Sequence, residues 1–305
     1  MEQSASARSR RGRPTARLTL SCALAFLALL SGCAAPTGLS PTTTADDPSA
    51  VGLDIELRQN RDQYATHLAI IRVSNTSGDD VVVERVELSG SAFETRTTRE
   101  RTSAIPAGQT KDLAVDIPRA DCDATAHELR AEAEVELDDG RTVHADDLPD
   151  PTHALPRIHA ADCTAAGVAG IATVSAAPEV RLEGAGARTV AVLTITATPT
   201  GAPGRLELVS LRSTVLLQPA PPSDGSAAPE EWPLGIVVDA STGTRTIDVR
   251  IVPSRCDPHA LAEDKVGTLF PLVVRVDDDE EALLTLPLPP GTADALKAAV
   301  RLACA

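Results

Sequence analysis

Leu113-Ala114-Val115-Asp116-Ile117, followed by Cys122-Asp123, decides the fold because the chain writes it twice. The second version is Ile247-Asp248-Val249-Arg250-Ile251 before Cys256-Asp257, with its apolar residues at the same distances from the cysteine. Apolar and polar residues alternate with period two, as in a strand with one buried face. Other segments match in the same order. Leu68–Val73 corresponds to Val190–Ile195, Val83–Leu88 to Leu206–Leu211, and Val135–Asp138 to Val274–Asp277. Each copy ends near another cysteine, Cys163 or Cys304. The shared order and the paired cysteines favour duplication over chance likeness among Val- and Leu-rich strands.

Each copy contains about seven short strands separated by turn signals. In the first they are expected near 52–58, 66–75, 81–88, 93–97, 111–117, 129–137 and 141–148, with Asp139-Gly140 as a hairpin turn. Short alternating strands at regular spacing indicate the all-β class and a β-sandwich. The modules, expected at 51–165 and 166–305, resemble immunoglobulin-like folds in strand number and length; the buried Trp and cysteine spacing of antibody domains are missing. After Pro289-Pro290-Gly291, the stretch Thr292–Leu302 places Leu296, Ala299 and Val300 on one helical face, so a short C-terminal helix is expected. Gln218–Pro233 is rich in Pro, Ala and Ser and reads as a long loop. Trp232 lies in it, either as a partner anchor or as a plug for the second sandwich; a lone Trp is usually buried, which favours the plug.

The N-terminus has a different character. Arg8, Arg10, Arg11, Arg13 and Arg17 stand against one acid, Glu2, and precede the 13-residue apolar stretch Leu18–Leu30. That is too short for a spanning helix of roughly 20 residues and suits a signal-peptide core. Leu30-Ser31-Gly32-Cys33 follows and closely resembles the lipobox of bacterial lipoproteins. The resemblance implies a signal peptide over 1–32, cleavage before Cys33, and a diacylglyceryl thioether on Cys33. It places the protein on the extracytoplasmic face of the cell membrane, anchored through acyl chains. Residues 33–50 then comprise the lipidated cysteine and a Pro-, Thr-, Ser- and Ala-rich tether that spans about 20–25 Å as a random coil. Cys22 departs from the lipobox, having Thr19 and Leu20 upstream. Ser9-Arg10-Arg11 faintly resembles a twin-arginine signal, but Arg13 breaks the pattern and general secretion is preferred. Three lysines among many arginines, with abundant Ala, Val, Thr and Pro, resemble a high-GC actinobacterial chain.

Export implies an oxidising compartment. With Cys22 removed and Cys33 acylated, Cys122, Cys163, Cys256 and Cys304 remain, and four cysteines allow three pairings. The repeat selects Cys122–Cys163 and Cys256–Cys304, one bridge per copy, each stabilising by about 4 kcal/mol in the chain-entropy model. The rival reading, a metal site or reactive thiols, finds no CxxC spacing.

Loss of residues 1–32 takes the 28 bases and 43 acids of the chain to 23 and 42, a net charge of −19. Nucleic acid is excluded as a partner, because phosphate recognition needs a basic footprint. Beyond residue 32 the aromatics are Tyr64, Phe93, Trp232 and Phe270, too few for a stacking groove of the lectin kind. No GxSxG elbow or Gly-rich phosphate loop occurs, and His127-Glu128 lacks the second histidine of HExxH. No methionine lies beyond residue 32, which removes thioether copper sites. The best local cluster is Asp257, His259 and Glu263, with Asp264 and Lys265 beside them. His with carboxylates suits a divalent metal, but an Asp following a Cys more often caps a turn. Asp277–Glu281 reads as a solvated hairpin tip rather than a calcium loop, since it lacks the EF-hand spacing. The expected function is a non-catalytic binding or structural module, without cofactor, for a cell-envelope protein partner. The alternative is a substrate- or metal-binding lipoprotein serving a transporter; a third class, an envelope hydrolase, lacks a visible constellation.

Overall fold

The computed structural model describes residues 52–222, 224, 226–262 and 264–305. The stretch expected to form a signal peptide, the lipidation expected at Cys33 and the tether expected to residue 50 lie outside the described residues.

The first module runs β1 (Leu53–Arg58), α1 (Arg61–Tyr64), β2 (Leu68–Asn75), β3 (Val81–Ser89), β4 (Thr97–Ile105), β5 (Thr110–Asp116), β6 (Glu132–Leu137) and β7 (Thr142–Ala145). A helix, α2 (Ala154–Ile171), leads into the second. That module runs β8 (Ala172–Ala176), β9 (Arg181–Glu183), β10 (Val190–Pro199), β11 (Arg205–Arg212), β12 (Leu217–Pro219), β13 (Glu231–Asp239), β14 (Arg245–Pro253), α3 (Pro258–Ala262), β15 (Pro271–Val276), β16 (Ala282–Thr285) and α4 (Thr292–Ala303). Among the described residues every strand pairing is antiparallel, and the class is all-β sandwich with a short C-terminal helix.

The duplication is written in the strand order. The first module pairs β1-β2-β5 and β4-β3-β6-β7; the second pairs β8-β10-β14 and β13-β11-β15-β16 in the same sequence. The second adds β12 at the β14 edge and β9 on β10. Alternating apolar residues from both sheets fill each core: Ile71, Val83, Leu88 and Leu113 in the first, Leu193, Leu206, Leu211 and Val249 in the second. Each four-stranded sheet carries one β-bulge. It falls at Glu84 in the nine-residue β3 and at Val209 in the eight-residue β11, so the two strands kink at different pairs.

Pairing also refines the repeat. Ile71 faces Leu113, while its counterpart Leu193 faces Val249. Leu113 is therefore the partner of Val249, two residues on from the match that counts back from the cysteines. An even offset keeps every side chain on its own face, which is why alternation alone does not detect it.

Three expectations change. The fourth strand of the first module is Thr97–Ile105, not 93–97; Phe93 makes only an isolated bridge to Ala120. Thr97-Thr98-Arg99-Glu100-Arg101 has no apolar alternation, because β4 is an edge strand whose charges discourage further pairing. The Pro-rich loop is shorter than 218–233, since β12 takes its start and β13 its end. Residue 165, taken as the end of the first module, lies in the middle of α2.

Candidate functional site

Helix α2 is unexpected from sequence and organises the molecule. Its Ala-rich composition favours helix. Asp150 reaches its first turn, one carboxylate oxygen accepting from the Ala154 N–H and the other from the Leu155 N–H, both at 2.8 Å. Leu155, near the start, belongs to the first core, while Val168 and Ile171, at the end, belong to the second. A helix that buries its two ends in two different cores need not keep one apolar stripe, so no amphipathic signal marks it.

Four side chains tie α2 to the first module. Arg157 donates from Nη1 to Gln59 Oε1 at 2.6 Å. A His159 ring nitrogen lies 2.8 Å from the Asp121 carbonyl. Asp162 accepts from His67 Nε2 at 2.8 Å, and Cys163 is bonded to Cys122 with Cα atoms 5.5 Å apart. The second bridge joins Cys256 to Cys304, Cα to Cα 5.3 Å, and closes α4 onto the segment after β14. Both bridges are those the repeat selects.

Along α2 the two sandwiches border a cleft of about 730 Å³. The first module contributes Gln59, Arg61, Tyr64 and His67, and the helix contributes Arg157, Ile158, Ala161 and Asp162. Val215, Leu269, Leu283 and Leu284 of the second module form the facing wall. Three of the five exposed large apolar side chains among the described residues, Tyr64, Val215 and Leu283, sit on this one cleft. A smaller hollow of about 210 Å³ shares His67, Ile117, Asp162 and Ala165 and runs toward Cys122.

The polar corner of the cleft is built, not incidental. Gln59 is buried, and its Nε2 donates to the Leu68 carbonyl at 3.0 Å, which points Oε1 at Arg157. The Arg157 guanidinium lies 4.6 Å from the centroid of the Tyr64 ring. Gln63 in α1 accepts from the Asn60 backbone N–H at 3.1 Å and steadies the turn that carries Tyr64. His67 holds a left-handed backbone, φ +52°, immediately before β2. Its hydrogen bond to Asp162 holds the imidazole pKa above its ordinary value, against a smaller opposing effect of burial.

The residues picked out by sequence lie elsewhere. Asp257 Oδ1 accepts from the backbone N–H of His259 at 3.0 Å, which is a turn cap at the start of α3. Glu263 lies outside the described residues. The Asp264 side chain is buried; Oδ1 accepts from the Gly267 N–H at 2.6 Å and Oδ2 lies 3.6 Å from Lys297 Nζ. No group of three His, Cys, Asp or Glu suited to a metal occurs among the described residues. Trp232 is buried at the start of β13, donates from Nε1 to the Arg250 carbonyl at 2.8 Å, and meets Phe270 edge-on at 5.9 Å. It plugs the second sandwich. At the acidic tip, Asp277 accepts from the Arg205 backbone N–H at 2.7 Å and Glu281 pairs with Arg275. Sequence reasoning missed Gln59, Arg157 and His67, which come together only through α2.

No family model matches the chain, and no curated protein does. Among solved structures it is similar to red sea bream transglutaminase at 13% identity and TM-score 0.23, over 78% of this chain and 32% of that one. A β-D-mannosidase from Dictyoglomus thermophilum matches at 10% identity and TM-score 0.22, over 77% and 22%. The YadV chaperone matches at 11% identity and TM-score 0.19, over 75% and 97%. The chain spans about a third or less of the first two structures. Likeness at these scores supports no activity for this chain.

Proposed function

We propose that the protein is a membrane-anchored, extracytoplasmic binding lipoprotein without catalysis, and that the cleft between its modules holds what it binds. The observation that carries this reading is the gathering of exposed apolar side chains, Tyr64, Val215 and Leu283, around one cavity with a built polar corner. Isolated exposed apolar residues need no explanation, whereas a clustered set around a cavity marks a binding surface. The volume, about 730 Å³, falls within the range of small-molecule sites, which favours the ligand-binding alternative read from sequence. Docking of a cell-envelope protein is the second reading, favoured by the openly exposed rim residues Val215 and Leu283.

One experiment tests both. The full chain is purified from native membranes, and small molecules that travel with it are identified by mass spectrometry. A bound molecule present in the wild type and lost in Ala161→Trp, which fills the cleft, supports ligand binding. A photo-crosslinker at position 283 that captures one envelope protein in intact cells, when the same group at exposed Leu182 does not, supports the second reading. Absence of both results would sink the cleft as the working site. The anchor is tested separately: Cys33→Ser is expected to release the protein from the membrane fraction.

A further inference from the structure

The cleft is apolar on one wall and cationic at one corner, in a chain whose formal net charge is −15. Most arginines that the described residues place on sheet faces are matched by acids, as in Arg72–Asp112, Arg85–Glu87 and Arg275–Glu207. Arg61 and Arg157 have no carboxylate within ion-pair distance among the described residues; Arg99, Arg101 and Arg245 on strands lack one too, but of the unpaired arginines only Arg61 and Arg157 line the cleft. The single acid among the described residues that line the cleft, Asp162, is already engaged by His67 at 2.8 Å. Arg157 spends one donor on Gln59 and rests its face on Tyr64, so the guanidinium is held in place with its other N–H groups unspent. A preorganised, unmatched guanidinium beside an apolar wall suits a ligand with one anionic oxygen group and a hydrocarbon body.

We propose that the cleft binds a long-chain anionic amphiphile, its carboxylate or phosphate on Arg157 with Arg61 beside it, and its acyl chain along Ile158, Leu269, Leu283 and Leu284. This inference rests on the cleft being the working site and adds the class of ligand. Carboxylate and phosphate heads share the same recognition by an arginine fork and are separated in the test.

The full chain is placed in phosphatidylcholine nanodiscs and irradiated with chain-diazirine derivatives of hexadecanoate, hexadecyl phosphate and neutral hexadecanol, and labelled residues are mapped by mass spectrometry. Labelling of cleft residues by the two anions is expected to exceed that by the alcohol about tenfold, the size of one charge-assisted contact. The stronger of the two anions names the head group. Arg157→Gln should bring anion labelling down to the alcohol level. Arg61→Gln, an exposed residue without a partner, should lower it in the same direction and guards against a folding defect in the first variant. Equal labelling of the cleft by acid and alcohol would overturn the anionic head while leaving the cleft as binding site. Labelling of the cleft by none of the three, no stronger than on the outer face at Leu182, would overturn the amphiphile altogether.

Discussion

The two modules share a strand order and differ in what closes them. In the second, α4 returns to its own sandwich, burying Leu296, Ala299 and Val300 in the second core, and Cys304 fastens it there. In the first, α2 is fastened at Cys163 but continues for another two turns and gives Val168 and Ile171 to its neighbour's core. The same device, a cysteine in the segment after a strand gripping a terminal helix, is thus a lock in one copy and a strut in the other. The second difference is aromatic. Trp232 faces Leu211 across the second sheet, and the equivalent pair in the first is Thr97 facing Leu88. The second module uses its large ring for core, while the first presents Tyr64 at the cleft. The common framework supplies rigidity, and the candidate site is assembled from what the copies do not share.

Breaking the bridges gives the largest test of that contrast. Sequence separations of 41 and 48 make the two nearly equal in closure entropy, about 4 kcal/mol each in the chain-entropy model. Their reach is expected to differ. Trp232 is the only tryptophan, so its fluorescence reports the second module alone. In urea titrations, Cys256→Ser with Cys304→Ser should lower the Trp232 transition directly. Cys122→Ser with Cys163→Ser should also lower it, through α2; a Trp232 transition left in place would show that the helix does not couple the cores.

The aromatic contrast comes next in size. Trp232→Ala empties a well-filled site and leaves the Arg250 carbonyl without its indole donor, at a cost of about 3 kcal/mol. Thr97→Ala, at the matching place in the first module, is expected to cost under about 0.5 kcal/mol, since the site holds no large side chain. Thermal unfolding followed by circular dichroism measures both. Similar losses at the two positions would mean that the copies rely equally on this edge.

The strut itself is tested at its cap. Asp150→Ala removes two hydrogen bonds to the first turn of α2 and an acid from the positive end of the helix, for a loss of about 1 kcal/mol. Amide hydrogen exchange should speed up across residues 154–158 and stay unchanged in α4. Equal acceleration in both helices would contradict a local cap.

How much of this was legible follows from which forces are local. Alternation in Leu113–Ile117 and Ile247–Ile251 reports a buried face directly, so strands, sheet class and repeat could be read off the chain. The final helix was legible for the same reason, since Leu296, Ala299 and Val300 fall on one face of a single core. Helix α2 was not, because its apolar residues answer to two cores and Asp150 caps it across four positions rather than from the usual cap site. The candidate site was lost with it: Gln59, His67 and Arg157 are separated by up to 98 positions and become neighbours only through that helix. His259 drew attention because its chemistry is crowded in sequence, yet Asp257 beside it serves the backbone turn. Strand β4 was misplaced because an edge strand protected by charge has no apolar rhythm to read.

The smallest effect concerns the contact that presses α2 onto the first module from the cleft side. Asp162 raises the pKa of His67 above about 6.5, so the folded state holds its proton more tightly than the unfolded chain does. The stability this adds is complete below the unfolded value and is lost as pH rises through the higher folded one. Because the imidazole is largely exposed, the contribution is expected to stay within a few tenths of a kcal/mol. Guanidinium titrations at pH about 5.5 and 8.5 should show the protein slightly less stable at the higher value. His67→Asn keeps a residue tolerant of the left-handed backbone and removes the titrating group, so the same comparison should flatten by that amount. A wild-type slope of the opposite sign, or one that survives in His67→Asn, would move the origin of the pH response away from the strut, leaving the first module's hold on α2 to Cys163, Arg157 and His159.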